Sequence, residues 1–286
     1  MARWTRVDQS FTTRARARVG SASFSRSPAV SIAICFVART GIVLGTDSRV
    51  TTTGPEGDTR EDAYPKLVQY GPHPIGLAMV GAGSYGGRDF RALVAETYRE
   101  CRESNTPVTV EQAARAYADV AGGIARESNA TTGMVVLVAG FSPGEPFGEL
   151  WEVRLPEGNV RRLTRPKSQT FVWRGRADAV QTLWWGANLG ELATTMREHD
   201  IDEDVAQAVV KDLKKKCAWG PERIAWGMPL SSAVELVRFQ LETQIQAERW
   251  LPGRAACGPP TQLLAINDSG LKWIDNPFAT FATVGS

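Results

Sequence analysis

Residues 31–49 read SIAICFVARTGIVLGTDSR. Two runs of apolar, largely β-branched residues, 31–38 and 42–47, flank Arg39-Thr40-Gly41, which carries the turn chemistry. The pattern predicts a hairpin. Neither run alternates with polar residues, so both faces of each strand are expected to be covered. Thirty residues precede Ser31, with six arginines and a single acid, Asp8. They lack the apolar stretch of a secretory signal and are rich in Arg and Ser. The expectation for 1–30 is a disordered leader or propeptide, with a transit peptide, a misassigned start and a tail of no role as other readings. The question for this sequence is whether the working chain starts at Met1 or at Ser31.

Beyond the hairpin, residues 51–62 (TTTGPEGDTRED) read as a polar loop, and short strands are expected near 65–70 and 75–80 around the turn GPHP. The period then becomes helical. Phe90, Val94, Tyr98 and Cys101 share one face of a helix over 87–104. A second helix over 110–127 opens on a capping box, Thr109 with Gln112, and is expected to bury Val110, Ala113, Tyr117, Val120 and Ile124. Strands follow at 131–141, 148–163 (turning at PEG, 156–158) and 168–173. Helices return at 177–198, 202–216 and 231–249, the last with a second capping box, Ser232 with Glu235. TQLLAIND, SG and LKWI close the chain as strand, turn and strand. This order lacks the strict strand–helix alternation of a parallel sheet, so an α+β class with antiparallel sheets under outer helices is expected.

Composition excludes several function classes. The net charge is +2 for the chain, but 1–30 carries +5 and 31–286 carries −3, so no nucleic-acid or anionic-membrane partner is called for. No run reaches the roughly 18–20 apolar residues of a membrane span. The four cysteines, Cys35, Cys101, Cys217 and Cys257, are scattered, which fits a reducing compartment and a cytoplasmic location. His73 and His199 lie far apart and read as surface residues, so no histidine triad and no metal or cofactor are expected.

Two motifs compete for the function. GAGSYGG (81–87) satisfies GxGxxG through Gly81, Gly83 and Gly86, between a strand and a helix. A dinucleotide site would also need a parallel strand after that helix, where a second helix is expected. The other motif is a constellation: Ser31 at a strand start, Asp47 at the end of the next, Lys66 at the start of a third, and the glycine turn after a fourth. A hydroxyl needs its proton removed to act as a nucleophile. The α-amine of an N-terminal Ser31 would be that base, Lys66 held by Asp47 would supply positive charge, and a glycine N–H would stabilise an oxyanion.

At these residues the chain resembles the proteasome-type N-terminal nucleophile hydrolases, including bacterial relatives of the 20S β subunit. The likeness rests on the sixteen-residue step from Ser31 to Asp47, Arg49 two residues further, and Lys66 on a following strand. It continues through AMVGAGSYGGRDFRALV and CGPPTQLLAINDSGLKWI, covering Ser31 to about Ile274. The resemblance implies a four-layer αββα sandwich over 31–286 and peptide or acyl-amide hydrolysis without a metal. It also implies release of Ser31 by cleavage of a propeptide and assembly into rings of identical subunits, with any ATPase partner left open. It assigns Ser31 as nucleophile, Asp47, Lys66 and Arg49 as supporting residues, and Gly83, or else Gly81, as oxyanion donor. The chain departs from the family at Val30, where glycine is usual. It departs again in WRGRAD (173–178) and GRAACGPP (253–260), where an auxiliary serine and aspartate are expected. A non-catalytic subunit serving assembly is the rival reading.

Overall fold

A computed structural model describes residues 31–54, 57–102, 108–165, 168–216, 227–250 and 255–278. The leader 1–30, the Val30–Ser31 bond and Cys217 lie outside the described residues. Strands β1 (Ile32–Ala38) and β2 (Gly41–Thr46) pair antiparallel with Ala38 opposite Gly41, the hairpin expected from the sequence. The expected polar loop is instead a second hairpin, β3 (Val50–Gly54) with β4 (Gly57–Glu61). Val50, Thr51, Thr52 and Thr53 are all β-branched, and that preference for extended backbone outweighs their polarity. Lys66 therefore precedes the fifth strand, β5 (Leu67–Gln69), rather than the third.

Strand β6 (Ile75–Gly81) runs into a small hairpin, β7 (Ser84–Tyr85) and β8 (Arg88–Asp89), turning at Gly86 and Gly87 with φ of 55° and 75°. That pairing delays helix α1 to Phe90–Arg102, where Asp89 caps it by accepting from the Ala92 N–H at 2.7 Å. Helix α2 (Val110–Glu127) carries the expected Thr109–Gln112 capping box in both directions. Its buried stripe is Val110, Ala113, Ala114, Tyr117, Ala118, Ala121, Gly122 and Ala125, with Val120 and Ile124 only half-buried at its margin. Small side chains there let the helix approach the sheet closely.

Strands β9 (Met134–Gly140), β10 (Glu149–Leu155), β11 (Asn159–Arg162) and β12 (Thr170–Gly175) follow. The helix expected over 177–198 is two, α3 (Asp178–Trp185) and α4 (Leu189–Glu198). Gly186 ends the first at φ 75°, and the Asn188 side chain caps the second through the N–H groups of Gly190 and Glu191. Helix α5 spans Glu203–Lys216 and α6 Leu230–Trp250. Because α6 starts at Leu230, Ser232 and Glu235 lie inside it and do not form the expected cap; Glu235 pairs with Arg238 at 2.6 Å instead. The last hairpin is β13 (Gln262–Asn267) with β14 (Gly270–Asp275).

The described residues form two five-stranded sheets in which every pairing is antiparallel, ordered β12-β1-β2-β13-β14 and β11-β10-β9-β6-β5. The chain is thus of the α+β class. β1 and β2 are buried at every position, and alternate residues along them face different cores. Ala33, Cys35, Val37, Ile42 and Leu44 of the first sheet pack with Ala78, Val80, Leu137, Ala139 and Leu150 of the second. The other face of the first sheet (Ile32, Ile34, Phe36, Val43) meets Val180 of α3 and Val237, Leu241 and Ile245 of α6. The other face of the second (Leu77, Met79, Val136, Val138, Val153) meets Phe90, Leu93 and Val94 of α1 and Tyr117 of α2. Gly45 allows the α6 contact: a Cβ there would sit 2.7 Å from Leu241 and 2.9 Å from Val237. Two covered faces explain why β1 and β2 read as continuous apolar runs.

Candidate active site

Four of the five sequence-selected residues lie around the open end of the β1–β2 hairpin. Ser31 immediately precedes β1 and Asp47 immediately follows β2, so the hairpin register brings them to the same end: Ala33 pairs with Thr46, and the Asp47 N–H donates to the Ile32 carbonyl at 3.2 Å. Lys66 arrives from the other sheet, one residue before β5. Its Nζ donates to Ser31 Oγ at 2.7 Å and to Asp47 Oδ1 at 2.9 Å. All three residues are buried, with Ser31 2% exposed and Asp47 and Lys66 at zero.

Asp47 accepts four hydrogen bonds. The Ile32 N–H (3.1 Å) and Lys66 Nζ reach Oδ1; the N–H groups of Arg49 (3.1 Å) and Gly258 (3.0 Å) reach Oδ2. A carboxylate offers about four lone-pair sites, so this one has none left for abstracting a proton from Ser31. Burial pushes its pKa up, opposed by the Lys66 ammonium and by the backbone N–H groups of Ile32 and Gly258. Its role in this arrangement is to hold Lys66 against Ser31.

Arg49 joins the group through its main chain. Its guanidinium faces away, bidentate to Asp62 at 2.5 and 2.6 Å and bonded to the carbonyls of Ala255 and Cys257. The hydrogen bond from Arg49 holds Asp62 below the usual carboxylate range. Gly83 is connected through Tyr64, whose hydroxyl donates to the Gly83 carbonyl at 2.5 Å. Gly81 belongs to the β6–β9 ladder opposite Met134, at φ 98°, where a Cβ would strike the Gly133 carbonyl at 2.3 Å.

Residues not singled out from sequence complete the frame. Gln262, at the head of β13, gives Nε2 to the carbonyls of Asp47 and Tyr64 and to Ser48 Oγ, and accepts from the N–H groups of Lys66 and Leu67. One amide therefore ties the acid's segment to the lysine's. Glu248 of α6, 3% exposed, accepts from the N–H groups of Ala256 and Cys257 and so positions the loop that presents Gly258 to Asp47. Both stretches that depart from the family pattern do reach the site. Gly175 lies opposite Ile32, so close that a Cβ would come within 2.0 Å of the Ser31 carbonyl. The Arg176 N–H donates to that same carbonyl at 2.8 Å, while its guanidinium pairs with Asp178 at 2.9 Å.

The glycine motif does not have the setting of a dinucleotide turn. A β-hairpin, not a helix, follows Gly83, helix α1 leads into helix α2, and β6 pairs antiparallel with β9. Among the described residues, no three of His, Cys, Asp and Glu gather as a metal-binding group, and no helix is long and apolar enough to cross a membrane.

No protein-family model matches the chain, and no curated protein matches it. Solved structures do. The chain is similar to Anbu (ancestral beta-subunit) from Yersinia bercovieri at 13% identity and a TM-score of 0.53, over 88% of this chain and 90% of that one. It is also similar to an Anbu (Gly-1) mutant from Hyphomicrobium sp. strain MC1, at 16% identity and a TM-score of 0.50 over the same shares. These findings correct the resemblance drawn from sequence. The chain is not placed among the 20S β-subunit-like N-terminal nucleophile hydrolases; at these identities the likeness to the Anbu structures carries a proteasome-like fold and nothing further.

Proposed function

We propose that this chain, on its proteasome-like fold, is an amide hydrolase that uses Ser31 as an N-terminal nucleophile after removal of residues 1–30. The observation that carries the reading is the buried contact of Lys66 Nζ with both Ser31 Oγ and Asp47 Oδ1. The saturated Asp47 carboxylate leaves the α-amine of a released Ser31 as the base. Ser31 Oγ would attack the substrate carbonyl carbon while its proton passes to that amine. The Lys66 ammonium would stabilise the developing negative charge on Oγ, and the Gly83 N–H that on the carbonyl oxygen. The amine would then protonate the leaving nitrogen, and water would cleave the acyl-enzyme by the reverse proton path. The substrate class is a peptide or acyl-amide, and the location cytoplasmic. The three cores support a four-layer αββα sandwich as the architecture of 31–286.

A second reading, a non-catalytic subunit serving assembly, is favoured by the stretches WRGRAD (173–178) and GRAACGPP (253–260), which depart from the pattern where an auxiliary serine and aspartate are expected. Intact mass and N-terminal sequencing separate the two. The hydrolase reading requires Ser31 at the N-terminus of active material, and requires Ser31→Ala to keep the full-length mass and hydrolyse no peptide amide. Both readings include a ring of identical subunits, so the 31.1 kDa chain should elute from a sizing column as an oligomer. A monomer at all concentrations would remove that part.

A further inference from the structure

We infer that Tyr64 is a positioning residue that sets the glycine turn against the Ser31–Lys66 pair, an inference that rests on the hydrolase reading above. Its main chain belongs to the acid–lysine frame: the Tyr64 N–H donates to the Ser48 carbonyl at 3.0 Å, and its carbonyl accepts from Gln262 Nε2 at 3.0 Å. Lys66 lies two residues on and is bonded to the same glutamine. The side chain of Tyr64 belongs to the turn. Its hydroxyl donates to the Gly83 carbonyl and accepts from the Phe90 N–H at 3.2 Å, while that N–H also reaches the Gly83 carbonyl at 3.0 Å.

These three bonds close a ring at the base of the β7–β8 hairpin. On the preceding side, the Ala82 N–H is bonded to the Gly133 carbonyl at 3.0 Å. The peptide groups on both sides of the Ala82–Gly83 unit are therefore held, and with them the direction of the Gly83 N–H. The tyrosine ring lies against Gly83, with Cζ and Oη each 3.4 Å from where a Cβ would stand. One residue thus spans the lysine that would activate the nucleophile and the turn that would receive the oxyanion. A displacement of the donor weakens its hold on developing charge far more than it weakens substrate binding.

The test compares two probes on the purified protein and on Tyr64→Phe, which removes the hydroxyl and keeps the ring. A peptide aldehyde forms a tetrahedral oxyanion on Ser31; a peptide vinyl sulfone alkylates the nucleophile without forming one. Tyr64→Phe is expected to bind the aldehyde roughly ten- to a hundred-fold more weakly, with kcat falling in step and KM little changed. The vinyl sulfone rate should stay near that of the parent protein. Equal loss with both probes would mean that the hydroxyl only supports the fold, and unchanged aldehyde binding would mean that it does not set the turn; either overturns the inference. If Tyr64→Phe fails to fold, Tyr64→His retains a ring donor and should fall between the two, with an equal effect on both probes counting against the inference. A parent protein that reacts with neither probe would take down the hydrolase reading itself, a result distinct from either of these.

Discussion

Lys66 and Asp47 form an ion pair whose side chains have no exposure to solvent. Such a pair contributes little net stability relative to apolar residues of the same shape, but it is costly to break from one side. Lys66→Ala should therefore destabilise the chain by about 3–5 kcal/mol, because Asp47 is left buried without its counter-charge. The double variant Lys66→Met/Asp47→Asn should cost clearly less than the two single changes summed. Denaturant unfolding with an unchanged m-value measures both. Full additivity, or a loss under about 1 kcal/mol for Lys66→Ala, would show that the two do not act as a pair. Ser31, Asp47 and Arg49 were legible because one hairpin sets their spacing, whereas Lys66 was expected on the third strand and lies instead beyond a second hairpin, β3–β4, just before β5. Gln262 and Gly258 were not. Their bonds to Asp47 span 215 and 211 residues of sequence, and a polar residue at a strand head or a glycine before a proline pair has many ordinary explanations.

Among the elements, β10 and β12 are joined by charge. Glu152 of β10 is 1% exposed and accepts from Arg154 (2.8 Å) and Arg161 (3.0 Å) of its own sheet and from Arg174 of β12 in the other. Burial alone would raise its pKa, but the hydrogen bond from Arg154 and the charge and hydrogen bond of Arg174 outweigh it, and the net direction is below the ordinary glutamate value of 4.5. A carboxyl depressed in the folded state contributes stability that is present above its unfolded pKa and is lost as pH falls through the folded one. Unfolding midpoints followed from neutral pH downward should therefore drop below about pH 4.5. Glu152→Gln should flatten that acid limb, and an unchanged limb would assign it to other carboxyls. The hairpins and α2 were legible because their signals are local: turn residues, caps and a period. The β3–β4 and β7–β8 hairpins were missed because polar or glycine-rich segments look like loops until a partner strand uses their backbone groups, and the split at Gly186 because a single glycine does not by itself break a helical pattern until the Asn188 cap starts a new helix.

For the whole molecule, the antiparallel α+β class was legible from element order, and the covered faces of β1 and β2 from their unbroken apolar runs. Family membership was not. The sixteen-residue step between Ser31 and Asp47 is a property of a hairpin and its ends, and the solved structures that share the fold do so at only 13% and 16% identity, too low to carry a family. What the geometry adds is a lysine held between a buried hydroxyl and a carboxylate that is itself fully bonded, an arrangement that still requires a base. The central claim is that this base is created when the chain is cut before Ser31. Intact mass of the purified protein, taken alongside that of Ser31→Ala, tests it most directly. The account predicts a parent chain that has lost residues 1–30 and begins at Ser31, and a variant that retains them. A hydrolytically active parent chain that still carries residues 1–30 would contradict it.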